Sequence, residues 1–491
     1  MKKFMSKFGK YFLIVLLSLV GLCAIGILYL FFVPNSNLFG ICYISYNKNI
    51  DSQTYNVDEN LINTIVLNSR NYELEVVPAS SGNNNIYLRV YSNSFGFVLK
   101  KNSQPSVEAS LLTGVLTFNV SEPFGACAKG RSKITLYIPE DYVTDLKLYN
   151  KNAISTINGK KLKIDNLLCS TNNGEFNFKN CTISGNISVK LNRGNFSFDE
   201  SVVTDTNMVE LNTFTGNFYA SNSVLGNVDI KSNFRAMVKI KSCTKFTLSN
   251  TSAGGSVEIG EVGELIVNSS DTNLKIGKVT ASASVVLTSS GKVDIDEINK
   301  QSSIKTNNGD INIKKATASL LLQALGNGNV KLNNTTAALI TETKYGNISI
   351  NFDQTAESYA DNTNSRMLQA TTKDGRVYAN GVENVTIKIT GSGSAEVYMK
   401  KVIGNSEIIT DSGSVYVQFD DDASFVLNTI ASNNIANVNY LALVDVGGNN
   451  HQYPGDKTFE INTIGANDNK LKIDSLTGSI KVRDYSTRDT K

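Results

Sequence analysis

The chain has 491 residues, with 47 Lys and Arg against 44 Asp and Glu, a formal net charge of +3 and a pI near 8.3. A charge balance so close to neutral, with no basic patch carrying interleaved aromatics, argues against nucleic acid as a partner. Trp is absent, His451 is the single histidine, and no proline falls between Pro139 and Pro454. That gap suits an unbroken ladder of strands, because proline removes a donor from any central strand.

Residues 1–10 carry Lys2, Lys3, Lys7 and Lys10 without an acid, and read as a cytoplasmic tail. Residues 11–33, from Tyr11 to Val33, contain no charge. About 20 apolar residues cross a bilayer as a helix, whereas the apolar core of a cleaved signal peptide is about 7–15 residues and ends at a small-x-small site. FFVPNSN offers no such site, and Cys23 follows Leu22 mid-span, which argues against a lipoprotein. The expectation is an uncleaved signal anchor. The next charge after the span is Lys48, so the positive-inside rule places the N-terminus in the cytoplasm and the bulk of the chain outside the cell membrane.

Residues 34–60 read as an irregular juxtamembrane linker. Residues 61–141 carry less regular strands (NTIVLNS, YELEVVP, NIYLRVYSNSFGFVLKK, GVLTFNVSE, SKITLYIPED) and read as an N-terminal cap with the first coils. Residues 142–419 hold a repeat. Gly291, Gly309, Gly328 and Gly346 recur at steps of 18, 19 and 18 residues, each followed two and four places on by apolar side chains, as in Ile311 and Ile313. Period-two alternation marks a strand with one buried face, and a strand-sized unit at a short fixed period marks a solenoid. The slot extends through Gly174, Gly194, Gly216 and Gly255 on one side and through Gly375, Gly393, Gly413 and Gly478 on the other. Ala236 and Thr272 stand in for it twice, and an insertion at about 353–367 stretches one step to 29 residues. Turn geometry with φ > 0 would favour glycine there. A further inward column lies seven places after the slot: Cys181, Ser201, Ser223, Cys243, Val262, Val279, Ile298, Ala316 and Thr335. Residues 420–485 read as C-terminal coils and cap, and residues 486–491 as a tail.

The fold class expected is all-β: a single-stranded parallel β-solenoid (β-helix) of coils of about 18–20 residues, each making two or three short strands, preceded by one N-terminal transmembrane helix.

Chemistry-bearing residues are sparse. The acids are scattered, where a β-helix glycosidase or lyase needs carboxylates converging on one face. Asp420-Asp421-Asp422 is the densest acidic run, without the spacing of a calcium loop. His451 sits in GNNHQYPGD, a turn-rich stretch that reads as a solvated loop. Cys42, Cys127, Cys169, Cys181 and Cys243 follow the span with no CxxC, so neither a disulfide framework nor a zinc site is signalled. Cys181 and Cys243 lie three coils apart, roughly 14 Å, too far to bond; with Cys169 they read as buried thiols. Asn-x-Ser/Thr sites such as Asn186, Asn195, Asn347 and Asn384 are what so Asn-rich a chain carries by chance.

Lys133-Ile134-Thr135-Leu136-Tyr137-Ile138-Pro139, the Thr306–Ile313 unit with its siblings, and the Leu476–Val482 unit resemble the bacterial putative adhesin family, the DUF4097 β-solenoid domain, over roughly residues 60–485. That family repeats a Ser/Thr-x-x-Gly-Asp/Asn-hydrophobic-x-hydrophobic unit after an ITVYIP-like strand. The resemblance implies a surface-exposed solenoid and no catalytic residue to carry over. The expectation is a membrane-anchored extracellular adhesin or cell-surface binding and spacing protein, without catalysis or cofactor. Its partners would be the membrane it crosses once and a surface glycan, cell-wall polymer or another envelope protein. The alternatives are an envelope-stress or regulatory ectodomain that binds a membrane partner, and a β-helix carbohydrate-active enzyme.

Overall fold

The computed structural model describes residues 2–33, 38, 41–99, 105–121, 129–159, 162–203, 208–250, 254–353, 366–420, 423–431, 442–446, 449–453, 457–461 and 468–484. Among these residues the chain is all-β apart from one N-terminal helix, Lys2–Phe32, whose segment Gly9–Phe32 has a mean hydropathy of 2.8. Contacts divide the chain into two compact units, Met1–Val203 and Thr204–Lys491.

In the first unit two ladders of strands face each other. One runs Ser106–Leu112, Val115–Ser121, Thr64–Ser69, Val143–Asn150 and Lys163–Lys179; its first pairing is antiparallel and the rest are parallel. The other runs Ile41–Asp51, Asn85–Leu99, Lys129–Ile138, Glu73–Pro78 and Ile154–Asn158, antiparallel over its first two pairings and parallel thereafter. The inward side chains Ile65, Leu67, Leu116, Phe118, Leu146 and Leu148 of one ladder, and Leu74, Val76, Ile134 and Leu136 of the other, are at most 1% exposed. Each contributes on the order of 1.5–3 kcal/mol by leaving water.

One expectation is corrected in this unit. The stretch 34–60 is not a linker throughout, because Ile41–Asp51 is an 11-residue strand paired with Asn85–Leu99 from Ile41↔Leu99 to Asp51↔Arg89. It forms the outer edge of its ladder, so polar side chains such as Asn47, Lys48 and Asn49 are tolerated at exposed positions and blur the period-two signal. The first coil in sequence, Thr64–Pro78, is not the first in space. Its strand Thr64–Ser69 lies between Val115–Ser121 and Val143–Asn150, its strand Glu73–Pro78 lies between Lys129–Ile138 and Ile154–Asn158, and antiparallel strands follow on the outside.

In the second unit the strands Met208–Asn250, Gly255–Ser269 and Thr272–Leu287 stack in parallel. From Val293 on, each coil contributes two strands, such as Val293–Ile298 with Ser302–Thr306 and Ile311–Ala316 with Leu320–Ala324. These make two parallel ladders: Val293–Ile298, Ile311–Ala316, Val330–Thr335, Ile348–Phe352, Val377–Val382, Ala395–Met399 and Val415–Phe419 on one face, and their second strands on the other. The column seven places after the glycine slot is buried at all nine positions, from Cys181 to Thr335.

The C-terminal stretch 420–485 is not a run of sequential coils. Lys470–Ser475 and Ile480–Asp484, the last strands in sequence, stack directly on Asn405–Thr410 and Val415–Phe419. Phe425–Ala431 and Ala442–Val446 lie outside them, and the antiparallel strands Lys457–Ile461 and Asn449–Tyr453 come last.

Candidate interaction surface

The repeat glycines have a different cause from the turn geometry expected of them. None from Gly291 to Gly413 has a positive φ; in their own coils the backbone is ordinary. A Cβ on Gly309 would meet the carbonyl oxygen of Gly291, and the same collision links Gly328 to Gly309, Gly346 to Gly328, Gly375 to Gly346, Gly393 to Gly375, Gly413 to Gly393 and Gly478 to Gly413. Glycine is needed because successive coils touch backbone to backbone at this corner. In the first unit Gly174 meets Ala153 O and Gly194 meets Gly174 O in the same way, and Gly194 also takes a φ of 148°, so at that one slot the expected turn geometry favours glycine as well. The Ser or Thr three places earlier closes the turn: Thr306, Thr343 and Thr410 donate from Oγ1 to the carbonyls of Gly309, Gly346 and Gly413 at 2.6, 2.6 and 2.8 Å, and Ser475 does so to Gly478 at 3.0 Å. The Asp or Asn after the glycine accepts from the next coil, since Asn329 N–H donates to Asp310, Asn347 N–H to Asn329 and Arg376 N–H to Asn347 at 2.8–2.9 Å. These residues form a structural staple between coils.

The other singled-out residues do not converge. The Asp420 carbonyl accepts from Ala423 N–H at 2.9 Å, while Asp421 and Asp422 lie outside the described residues. His451 is in a strand, Asn449–Tyr453, opposite Val444, rather than in the loop its neighbours suggested. Residues 354–365 of the insertion and Cys127 also lie outside the described residues. Among the described residues no group of three or more His, Cys, Asp or Glu is placed to hold a metal ion. Cys169, Cys181 and Cys243 are free and buried. Burial pushes the Cys181 thiol up to about 11 and that of Cys243 to about 12, so both stay protonated and behave as small apolar side chains.

The outward face of the first ladder in the second unit carries what the sequence reading missed. Strand register aligns Lys331, Ser349, Tyr378, Glu396, Tyr416 and Lys481 in one column across successive coils. Asn351, Asn380 and Tyr398 make a second column beside it. The rings of Tyr378 and Tyr398 are 5.9 Å apart and those of Tyr398 and Tyr416 6.1 Å, so three half-buried tyrosines zigzag up the sheet. Tyr398 donates its hydroxyl to Glu396 Oε1 at 2.8 Å, Arg376 pairs with the same carboxylate, and Lys481 Nζ lies 5.9 Å from the centre of the Tyr416 ring. Aromatic faces ringed by polar groups thus recur along this face at a coil spacing of about 4.8 Å. A usable signal existed in RVYAN, AEVYM and SVYVQ, where tyrosine takes outward positions between buried neighbours.

The second ladder's outward face holds a shallow groove of about 540 Å³ along Ser284, Ser303, Leu321, Ile340 and Met367. Ile340 is 47% exposed there. At the base of the insertion, Arg366 and Glu383 form an ion pair at 3.0 Å with side chains 3% and 1% exposed, and Arg366 takes a φ of 55°.

The family model described as Toastrack DUF4097 matches residues 62–235 and 236–378. A search of curated proteins finds no match. Among solved structures, a putative cell adhesion protein from Clostridium sporogenes ATCC 15579 aligns at 8% identity and a TM-score of 0.29, covering 44% of this chain and 99% of its own. A putative adhesin from Parabacteroides merdae ATCC 43184 aligns at 14% identity and a TM-score of 0.15, covering 71% and 96%. At those scores neither structure bears on fold or function. The family match spans well over half of the chain, which therefore belongs to the Toastrack DUF4097 family.

Proposed function

We propose that this protein is a membrane-anchored, surface-displayed binding solenoid of adhesin type, which holds an extended glycan or wall polymer by repeated weak contacts and performs no chemistry. The observation that carries this reading is the tyrosine face of Tyr378, Tyr398 and Tyr416, with Glu396, Arg376 and Lys481 around it. Sugar rings present apolar C–H faces and hydroxyl edges, so a surface that alternates aromatic faces with charged hydrogen-bonding groups suits both. Contacts repeated from coil to coil act on one polymer and gain by effective concentration. The test is a binding screen of the full chain in lipid nanodiscs against purified glycans and wall polymers, with hydrolysis products assayed in the same wells. The expected outcome is binding without product, weakened about tenfold (~1.4 kcal/mol) by each of Tyr378→Ala and Tyr416→Ala. Polymer binding indifferent to both substitutions would overturn the assignment of the face, and product release would overturn the non-catalytic reading. The groove along Leu321, Ile340 and Met367 favours a second reading, a regulatory ectodomain docked on another envelope protein; a partner cross-linked to the full chain and lost on Ile340→Asp would support it.

A further inference from the structure

The helix Lys2–Phe32 does not simply lead into the first strand. Leu38 exchanges backbone hydrogen bonds with Ile41 at 2.8 and 2.9 Å, and its Cδ2 lies where a Cβ on Gly26 would come within 2.8 Å. Gly26 is six residues before the helix end, so the Leu38 side chain lies about 9 Å back along the helix from that end. Leu30, 6% exposed, is the buried side chain in a helix whose other described large apolar residues are mostly exposed. The Phe31 ring lies 4.5 Å from Tyr43, and Tyr43 lies 5.3 Å from Phe97, its partner across the Ile41–Asp51/Asn85–Leu99 pairing. Phe95, opposite Ser45 on the same face, continues the row and is 51% exposed; Ile41, at its other end, is 40% exposed. Aromatic and aliphatic side chains thus extend from the helix end onto one face of the paired strands.

We propose that this end of the Ile41–Asp51/Asn85–Leu99 pair is set into the phospholipid bilayer, in the leaflet at the C-terminal end of the helix, so that the anchor is a helix and a β-wedge together. The inference rests on the membrane-anchored reading above, and its arithmetic follows from lengths. The apolar helix segment Gly9–Phe32 has 24 residues and is about 36 Å long, against a hydrocarbon core of about 30 Å. At most about 6 Å of helix emerges at that end, less than the about 9 Å by which the Leu38 side chain lies back along it. Leu38 and Ile41 therefore reach the acyl region, while Tyr43, Phe97 and Phe95 fall where aromatic side chains concentrate, at the interface between lipid and water. A single helix leaves the domain it carries free to swivel; a second insertion point fixes the tilt of the first coils against the membrane. A bilayer is the occupant because the apolar row is continuous with the helix that crosses it.

The absence of Trp makes the test direct. Three single-Trp variants of the full chain, Leu19→Trp, Phe95→Trp and Tyr149→Trp, are reconstituted in phosphatidylcholine nanodiscs whose acyl chains are brominated. Leu19 is mid-helix, and Tyr149, on the Val143–Asn150 strand, serves as the solvent reference. The expected result is at least twofold quenching of the Leu19→Trp and Phe95→Trp fluorescence relative to non-brominated lipid, with Tyr149→Trp unchanged. Quenching at Leu19→Trp with Phe95→Trp behaving like Tyr149→Trp would overturn the wedge and leave the anchor standing. Absence of quenching at Leu19→Trp would overturn the anchor itself.

Discussion

The regular coils of the second unit and the coils at the chain's ends solve the same packing problem in different ways. Between Gly291 and Gly413, order in space follows order in sequence, and each coil is stapled to the next by a backbone contact that only glycine permits. At the ends, sequence order and spatial order part company. Thr64–Pro78 is tucked beneath later strands, and Lys470–Asp484 is tucked beneath earlier ones. In both places the outermost strands are antiparallel, as with Ser106–Leu112 and Asn449–Tyr453. A parallel coil left at an end would present a row of unpaired backbone groups to other chains. Repetition specifies the middle, and long-range pairing specifies the ends.

The sharpest way to break the regular stack is at its one interruption. Where the step from Gly346 to Gly375 departs from the repeat, the buried Arg366–Glu383 pair ties the strand after the insertion to the following coil, and Arg366 O accepts from Glu383 N–H at 3.0 Å. Glu383→Gln leaves a buried guanidinium without its counter-charge and is expected to cost about 3–5 kcal/mol. Thermal unfolding followed by circular dichroism checks this; a midpoint within a degree of the parent would show that the pair is dispensable. The double variant Arg366→Met/Glu383→Gln should recover part of the loss.

A smaller effect contrasts the two uses of glycine. Gly328→Ala puts a methyl group on the carbonyl of Gly309 in the regular stack and is expected to cost about 1–3 kcal/mol by overpacking. Gly82→Ala, at a φ of 81° with nothing nearby for a Cβ to meet, should cost about 1 kcal/mol from backbone strain alone. If the two changes lower the unfolding midpoint equally, close backbone approach is not what selects glycine in the repeat.

The smallest effect concerns acid. Asp271 accepts from the backbone N–H and hydroxyl of Ser290 at 2.8 Å each, and Asp374 accepts likewise from Ser392 at 2.9 and 3.1 Å. The backbone N–H is the main cause that holds each carboxyl below its ordinary range. A depressed folded-state pKa gives stability that is present above the unfolded value, near 4, and is lost as pH falls through the folded value. The unfolding midpoint should therefore drop between about pH 4 and the folded values below it, and Asp271→Asn/Asp374→Asn should flatten that drop. An unchanged pH profile in the double variant would show that these turn bonds add nothing to coil stacking.

Much of this was legible in the sequence, for a physical reason. A solenoid's core is local: side chains two and four places after each glycine, and the column from Cys181 to Thr335, meet only their own coil and its neighbours, so an 18-residue period carries them into print. The helix was legible from its uncharged length alone. What the repeat could not convey was why glycine holds its slot, since the collision with the previous coil's carbonyl exists only once coils are stacked. The strand Ile41–Asp51 was masked by its exposed polar residues Asn47, Lys48 and Asn49, and the inverted order of both ends depends on pairings some 50 to 80 residues apart, such as Leu67 with Phe118 and Leu67 with Leu148. The tyrosine face is likewise tertiary. Tyr378, Tyr398 and Tyr416 are 18–20 residues apart in the chain, and only the parallel register sets their rings about 6 Å from one another. Local pattern determined the coil; backbone contact between coils determined what the coils present.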